Sequence, residues 1–199
     1  MGFFPPDEVI DDGQRPDPQQ PAWWGPPDDE IPMTWASPAM LGVTDHVAVA
    51  LIGAEVFSDG VILRIERRLR RLTMPRQTWS RHREVFLGHD AEDAPGRLRY
   101  GLVLDDGRNV FDSGPAAGSA DPFLTPSSSV LTRQGGGGSG DDRSFSTTDR
   151  LWLWPLPPAG PLDLVFQWPD LGLDESHTAL DGSAIVALSS RAVALWPHG

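Results

Sequence analysis

Residues 46–65 read His-Val-Ala-Val-Ala-Leu-Ile-Gly-Ala-Glu-Val-Phe-Ser-Asp-Gly-Val-Ile-Leu-Arg-Ile. Two apolar runs rich in valine and isoleucine flank Ser58-Asp59-Gly60. β-Branched side chains fit a pleated, half-buried surface, and Asp-Gly between two such runs is the turn that folds a hairpin. A helical alternative competes for the second run. Ile62, Ile65, Leu69 and Leu72 are spaced three, four and three apart, which would align them on one helix face. The branched residues and the turn agree with each other, so the stretch after Gly60 is read as extended chain.

Working outward, the same signals recur. Leu98 to Leu104, then Asp105-Asp106-Gly107, then Asn109-Val110-Phe111 predict a second hairpin. Leu151 to Trp154 and Leu162 to Trp168 predict two more strands, joined by the stiff turn Pro155 to Pro161. Asp181 is placed to cap a helix carrying Ile185, Leu188, Ala192 and Leu195, with Pro197 ending it. Short strands, turns between them and one late helix predict a mainly all-β domain over residues 41–199, an antiparallel β-sandwich with one C-terminal α-helix. Residues 113–142 run through Gly, Pro, Ala and Ser to Gln134-Gly135-Gly136-Gly137-Gly138-Ser139-Gly140 and are expected to form a long, flexible, Gly-rich loop.

Residues 1–40 hold nine of the 20 prolines and few aliphatic side chains. Such a segment cannot offset its ordering entropy by burial, so a disordered, acidic tail is expected there. It contains a near-repeat. Phe3-Phe4-Pro5-Pro6-Asp7-Glu8-Val9-Ile10 and Trp23-Trp24-Gly25-Pro26-Pro27-Asp28-Asp29-Glu30-Ile31 both read as two aromatics, two prolines, acids and an aliphatic. Biased composition produces such repeats by chance; a duplicated docking peptide or lead-in is the alternative.

Trp154-Pro155-Leu156-Pro157-Pro158-Ala159-Gly160-Pro161-Leu162 is the most distinctive motif. Together with Trp168-Pro169, Val47-Ala48-Val49-Ala50-Leu51, the Gly-rich stretch and Leu195-Trp196-Pro197, it gives a chain that resembles a family of uncharacterised proteins of high-GC actinobacteria. The likeness covers most of residues 22–197, since Trp24-Gly25-Pro26-Pro27 is similar to the family's lead-in; the first 20 residues are an addition to it. The resemblance implies a shared fold and carries over no activity and no site.

Composition removes several chemistries. The 199 residues include no cysteine and no lysine, so all 16 basic side chains are arginine. Schiff-base chemistry, a P-loop lysine, a thiolate nucleophile and Cys-ligated zinc are thereby excluded. The net charge of −12 disfavours a general nucleic-acid binder, because phosphate is repelled. The longest apolar-or-glycine run, Val47 to Ala54, is eight residues, far short of a membrane helix. The N-terminus opens on acids rather than on a basic and then apolar stretch, so no secretory signal is expected and the expected compartment is the cytoplasm.

Charge is distributed asymmetrically. Residues 1–30 carry eight carboxylates against Arg15, while residues 64–83 carry eight arginines against Glu66. On a strand, Arg64, Glu66, Arg68 and Arg70 share one face, with Arg67 and Arg71 interrupting the apolar one. The guanidinium fork suits carboxylate and phosphate. Arg64, Arg68 and Arg70 are therefore a solvated outer face, a surface for an external anionic or protein partner, or an intramolecular dock for the acidic tail 1–30 over the Arg64 to Arg83 segment.

Trp152 and Trp154 lie two apart and share a strand face, as core packing or as an aromatic platform for a sugar or peptide. Gly135-x-Gly137-x-x-Gly140 matches a dinucleotide fingerprint only literally, since no clear strand precedes it and Asp141-Asp142 follow. The five histidines show no ligand spacing. No catalytic, cofactor-binding or metal residue is assigned, and no cofactor is expected. The expected function is a non-enzymatic binding or scaffold module; the alternative is a carboxylate-based hydrolase or carbohydrate-binding protein using Trp152 and Trp154.

Overall fold

The computed structural model describes residues 21–88, 94–112 and 125–196. In chain order the elements are β1 (Glu30–Ile31), β2 (Met33–Trp35), β3 (Ala39–Val43), β4 (Val47–Val56), β5 (Val61–Arg70), α1 (Arg76–Leu87), β6 (Arg99–Val103), β7 (Asn109–Phe111), β8 (Val130–Gly140), β9 (Ser144–Trp154), β10 (Pro161–Trp168), β11 (Leu173–Asp181), α2 (Gly182–Ser189) and β12 (Val193–Ala194). The expected β4–β5 hairpin is present, with Val56 opposite Val61 and the Phe57 amide donating to the Gly60 carbonyl at 2.9 Å. Glycine is needed at position 60, because a Cβ there would overlap the Trp152 ring. The β6–β7 hairpin pairs Val103 with Asn109.

The strands form two antiparallel sheets. The large one runs β2-β4-β5-β9-β8, with β3 also paired to β4; the small one runs β11-β10-β6-β7. Alternation explains why they stack. Val61, Leu63, Ile65 and Leu69 of β5 are fully buried, and their alternates Arg64, Arg68 and Arg70 are exposed. Leu151 and Leu153 extend the buried face on β9, and Leu102, Leu164, Phe166 and Trp168 of the small sheet fill the other side of one core. A parallel bridge from Asp112 to Leu131 joins β7 to β8, and at the other seam the Ser176 hydroxyl donates to the Leu41 carbonyl at 2.7 Å.

Four expectations are corrected. The lead-in from residue 21 to 40 is part of the fold rather than a disordered tail: Trp23 is buried, β1 pairs with β12, and β2 and β3 pair with β4. Its prolines fall between these strands, where no ladder hydrogen bond is lost. Residues 1–20 lie outside the described residues, as does the first copy of the near-repeat.

The Gly-rich run is not a loop either. Val130–Gly140 is strand β8, paired with β9 along its length. Its register shifts between Gly135 and Gly138, and a Cβ on Gly136 would overlap the Thr148 carbonyl. The glycines thus permit a bulge against a neighbouring backbone. Of the expected loop 113–142, residues 113–124 lie outside the described residues.

A second helix, α1, holds Arg76, Arg81 and Arg83, so the arginine run divides between a strand and a helix. Trp79 and Phe86, two turns apart, are its buried residues, and Gly88 ends it at a left-handed φ of 74°. Finally, Asp181 caps α2 by accepting from the Ala184 amide at 2.9 Å, but the helix stops at Ser189 because Val193–Ala194 pairs with β1.

Candidate functional site

The outer face of the large sheet is built by register. Arg64 lies opposite Arg150, Glu66 opposite Thr148, Arg68 opposite Ser146, and Arg70 opposite Ser144. On the other flank of β5, Glu66 faces Ala50 and Arg68 faces Ala48. Long arginines on the central strand thus stand between rows of small side chains. An open groove of about 670 Å³ is lined by Ala48, Arg68, Arg70, Ser139, Ser144 and Ser146 among others.

The charges on this face do not cancel. Glu55 is shared by Arg150, at 3.0 Å, and Arg64, at 3.4 Å. Glu66 holds Arg68 at 2.6 Å and, through that hydrogen bond, raises the guanidinium further above its ordinary pKa. The Arg70 Nε donates to the Asp45 carbonyl at 2.7 Å, which leaves its charge uncompensated there. Four guanidiniums therefore stand against Glu55, Glu66 and, at the end of the groove, Asp141. Arg68 keeps 70% of its side chain exposed. The pairs hold the forks in place while leaving faces and edges open to a further anion.

The structure brings Arg64, Arg68 and Arg70 together as expected, with Arg150 as a fourth member that sequence reading did not single out. It does not bring the acids of residues 28–30 to them. Glu30 instead accepts from the Ser58 amide at 2.9 Å and from its hydroxyl at 2.5 Å, at the β4–β5 turn.

Trp152 and Trp154 do not form a platform. Trp152 has no exposed surface; it packs edge-on to Phe57 at 5.7 Å and clusters with Ile62 and Trp154. Residues 22–24 cross this end of the face. The Trp152 indole N–H donates to the Ala22 carbonyl at 3.0 Å, and the Gln134 amide donates to the Trp24 carbonyl at 3.1 Å. The lead-in covers Trp152 and leaves it no stacking surface, while Trp154 is half-buried beside it.

Sequence reading also missed a buried network. Arg67 points into the core, where its Nε and Nη2 lie 2.7 and 2.8 Å from the two oxygens of Asp149. Tyr100 donates to Asp149 at 2.8 Å, and Nη1 donates to the Phe86 carbonyl at 2.8 Å. Burial and the Asp149 charge hold Tyr100 well above its ordinary pKa. An arginine on an apolar strand face was the available signal that a buried acid must exist; which acid depends on the pairing of β5 with β9. With both carboxylate oxygens engaged, the network pins structure.

On the outer face of the small sheet, His177 lies between Asp163, at 2.6 Å, and Glu175, at 3.4 Å. Hydrogen bonding to Asp163, and then to Glu175, raises its pKa above the ordinary 6.5. An NMR titration is expected to place the His177 midpoint above 6.5, and Asp163→Asn to lower it. The folded state favours the charged ring, so this contribution to stability is complete below the unfolded midpoint and disappears as pH rises through the folded one. A midpoint at or below 6.5 would contradict the contact. Among the described residues no group of three or more His, Asp or Glu converges as a metal site, and no helix is long and apolar enough to cross a membrane.

Compared with known proteins, the chain matches no protein-family model, no curated protein and no solved structure.

Proposed function

We propose that the chain is a non-enzymatic binding module of the cytoplasm that takes an acidic segment of a protein on the outer face of its large sheet. One observation carries this reading: the guanidiniums of Arg64, Arg68, Arg70 and Arg150 outnumber the carboxylates of Glu55, Glu66 and Asp141 on an open sheet face of a chain whose net charge is −12. An isolated surface arginine is solvated and contributes little. Along β5 the outward positions read Arg64, Glu66, Arg68 and Arg70, about 6.6 Å apart, so Arg68 and Arg70 match the repeat of an extended acidic peptide and Arg64 lies two repeats further on. Peptide carboxylates suit this site better than a nucleic-acid backbone, because the rest of the chain repels a long polyanion. A cysteine-free chain agrees with a reducing compartment.

The test is fluorescence anisotropy with a labelled deca-glutamate peptide, titrated to millimolar concentration in 50 mM salt. The native chain is expected to bind, and the Arg64→Ser, Arg68→Ser, Arg70→Ser triple variant to lose at least tenfold in affinity with its melting temperature unchanged. Binding should fall as salt rises. Equal affinity of the two proteins would reject the reading.

A further inference from the structure

We propose that the corner where β5 runs into α1 is a phosphoryl site, at which Arg70, Arg71 and Arg143 hold the doubly charged phosphate of a phosphorylated side chain on the docked segment. This rests on the reading of the outer face as a dock for acidic segments, and it names the group such a segment carries at the Arg70 end.

Backbone pairing brings the three arginines together. Arg70 ends β5 opposite Ser144, and the next amide, that of Arg71, donates to the Arg143 carbonyl at 2.8 Å. Leu72 then turns the chain at a left-handed φ of 47°, a strained conformation for a leucine. The turn is tied twice: the Met74 amide donates to the Arg71 carbonyl at 2.9 Å, and the Arg71 Nε donates to the Met74 carbonyl at 3.0 Å. Neighbours on a strand point to opposite faces, yet this turn puts Arg70 and Arg71 on one open cavity of about 560 Å³, which Thr73 and Arg143 also line.

The charge gathered there is not balanced. Among the described residues no carboxylate lines this cavity, and none of the three arginines has an ion-pair partner. Arg70 spends its Nε on the Asp45 carbonyl and Arg71 on that of Met74, which fixes both forks and leaves their Nη ends for a ligand. Asp141, in the adjoining groove, spends its carboxylate on the Arg143 and Ser144 amides at 2.7 and 2.8 Å. Just past Met74, α1 begins with no side-chain cap and no acid in its first turn, so the positive helix end adds to the same potential.

Three monovalent cations exceed what one carboxylate balances. A phosphoryl group brings about −1.5 to −2 charges at neutral pH and three acceptor oxygens, and guanidinium forks grip such oxygens in pairs. The cavity also continues the groove of the dock, because Arg70 lines both. A segment lying along β5 therefore presents a phosphorylated residue to the corner while its carboxylates meet Arg68 and Arg64. The net charge of −12 repels a phosphodiester polymer, so one phosphate on a protein segment fits this corner better than a nucleic acid.

Three end-blocked peptides test this by fluorescence anisotropy at pH 8 in 50 mM salt. Two carry nine glutamates with a phosphoserine at the first or the last position. The third is undeca-glutamate, which matches their charge of about −11 once the phosphate is doubly ionised. One of the two phosphopeptides is expected to bind the native chain at least tenfold more tightly than undeca-glutamate. Arg71→Gln combined with Arg143→Gln should return that ratio to about one. Because Arg71 also ties the turn, Arg143→Gln is measured alone. Its side chain is exposed and makes no hydrogen bond among the described residues, so the ratio should fall at least threefold with the melting temperature unchanged.

A ratio of one in the native chain, or a ratio that both variants keep, overturns the proposal and leaves the dock standing. So does loss of the ratio on adding micromolar inorganic phosphate, because the corner would then serve a small free phosphate. Undeca-glutamate that fails to bind, while a phosphopeptide binds and depends on Arg71 and Arg143, rejects the dock and keeps the phosphoryl site. Binding of none of the three peptides rejects both.

Discussion

Replacing Asp149 by alanine is expected to cost about 3–5 kcal/mol of folding stability, enough to take up much of the stability of an ordinary domain. Arg67 shows why. Its guanidinium lies beside the stacked Phe86 and Trp168 rings, 5.1 and 5.2 Å from their centroids, with under a tenth of its surface in contact with water. Asp149 supplies its counter-charge through a two-pronged contact and also accepts from Tyr100. Without the carboxylate, a buried cation and a buried hydroxyl both lose their partner. Arg67 would also be drawn toward water and away from the Phe86 carbonyl, loosening the last turn of α1. Urea denaturation followed by tryptophan fluorescence measures the loss. A cost below about 1 kcal/mol would mean the pair is solvated and the packing described is wrong.

The companion experiment separates charge from shape. Arg67→Met, Asp149→Leu and Tyr100→Phe together remove every member of the network, and replacing a buried ion pair by apolar residues of similar volume is often neutral or stabilising. The combined variant is therefore expected to be far more stable than Asp149→Ala alone. What the charges add is register. Ile65 faces Asp149 and Arg67 faces Thr147, so the pair forms only when β5 and β9 align as they do. A slip of β5 by one residue along β9 would turn Arg67 to the face of the sheet opposite Asp149.

The same two strands show how far the fold is legible in sequence. The hairpin at Asp59-Gly60 and the exposed row Arg64, Arg68 and Arg70 follow from local alternation, which is a property of neighbours. Glu55 and Arg150 belong to that face through pairings of β4 and β9 with β5, and residue spacing within one run does not contain them. Strand β8 was illegible for a related reason: glycines have no side chain to reveal a pattern, and β9 provides the ladder that makes them a strand. Helix α1 hid because its buried residues Trp79 and Phe86 are only two, separated by arginines that read as a charged run. The proline-rich lead-in looked unable to order itself; in the fold its strands pair with β4 and β12 and its backbone is held at the Trp152 end of the large sheet.

That dependence makes Trp152→Ala the second large effect, expected at about 3–5 kcal/mol. The side chain is fully buried on the outer face of a sheet, where the cover is a segment of chain rather than a second sheet. Removing it empties the space beside Phe57 and Ile62 and takes away the donor to Ala22. The damage should therefore be lopsided. Amide exchange is expected to accelerate at Trp24 and at Ser58, whose N–H is held by Glu30 of the lead-in, before it changes at Leu164 in the small sheet. Trp152→Phe keeps an aromatic ring and loses the hydrogen bond, at about 1 kcal/mol, together with part of the indole volume, so it is expected to cost less than Trp152→Ala. Were Trp152→Ala to leave exchange at Trp24 unchanged, the lead-in would be held by something other than this ring.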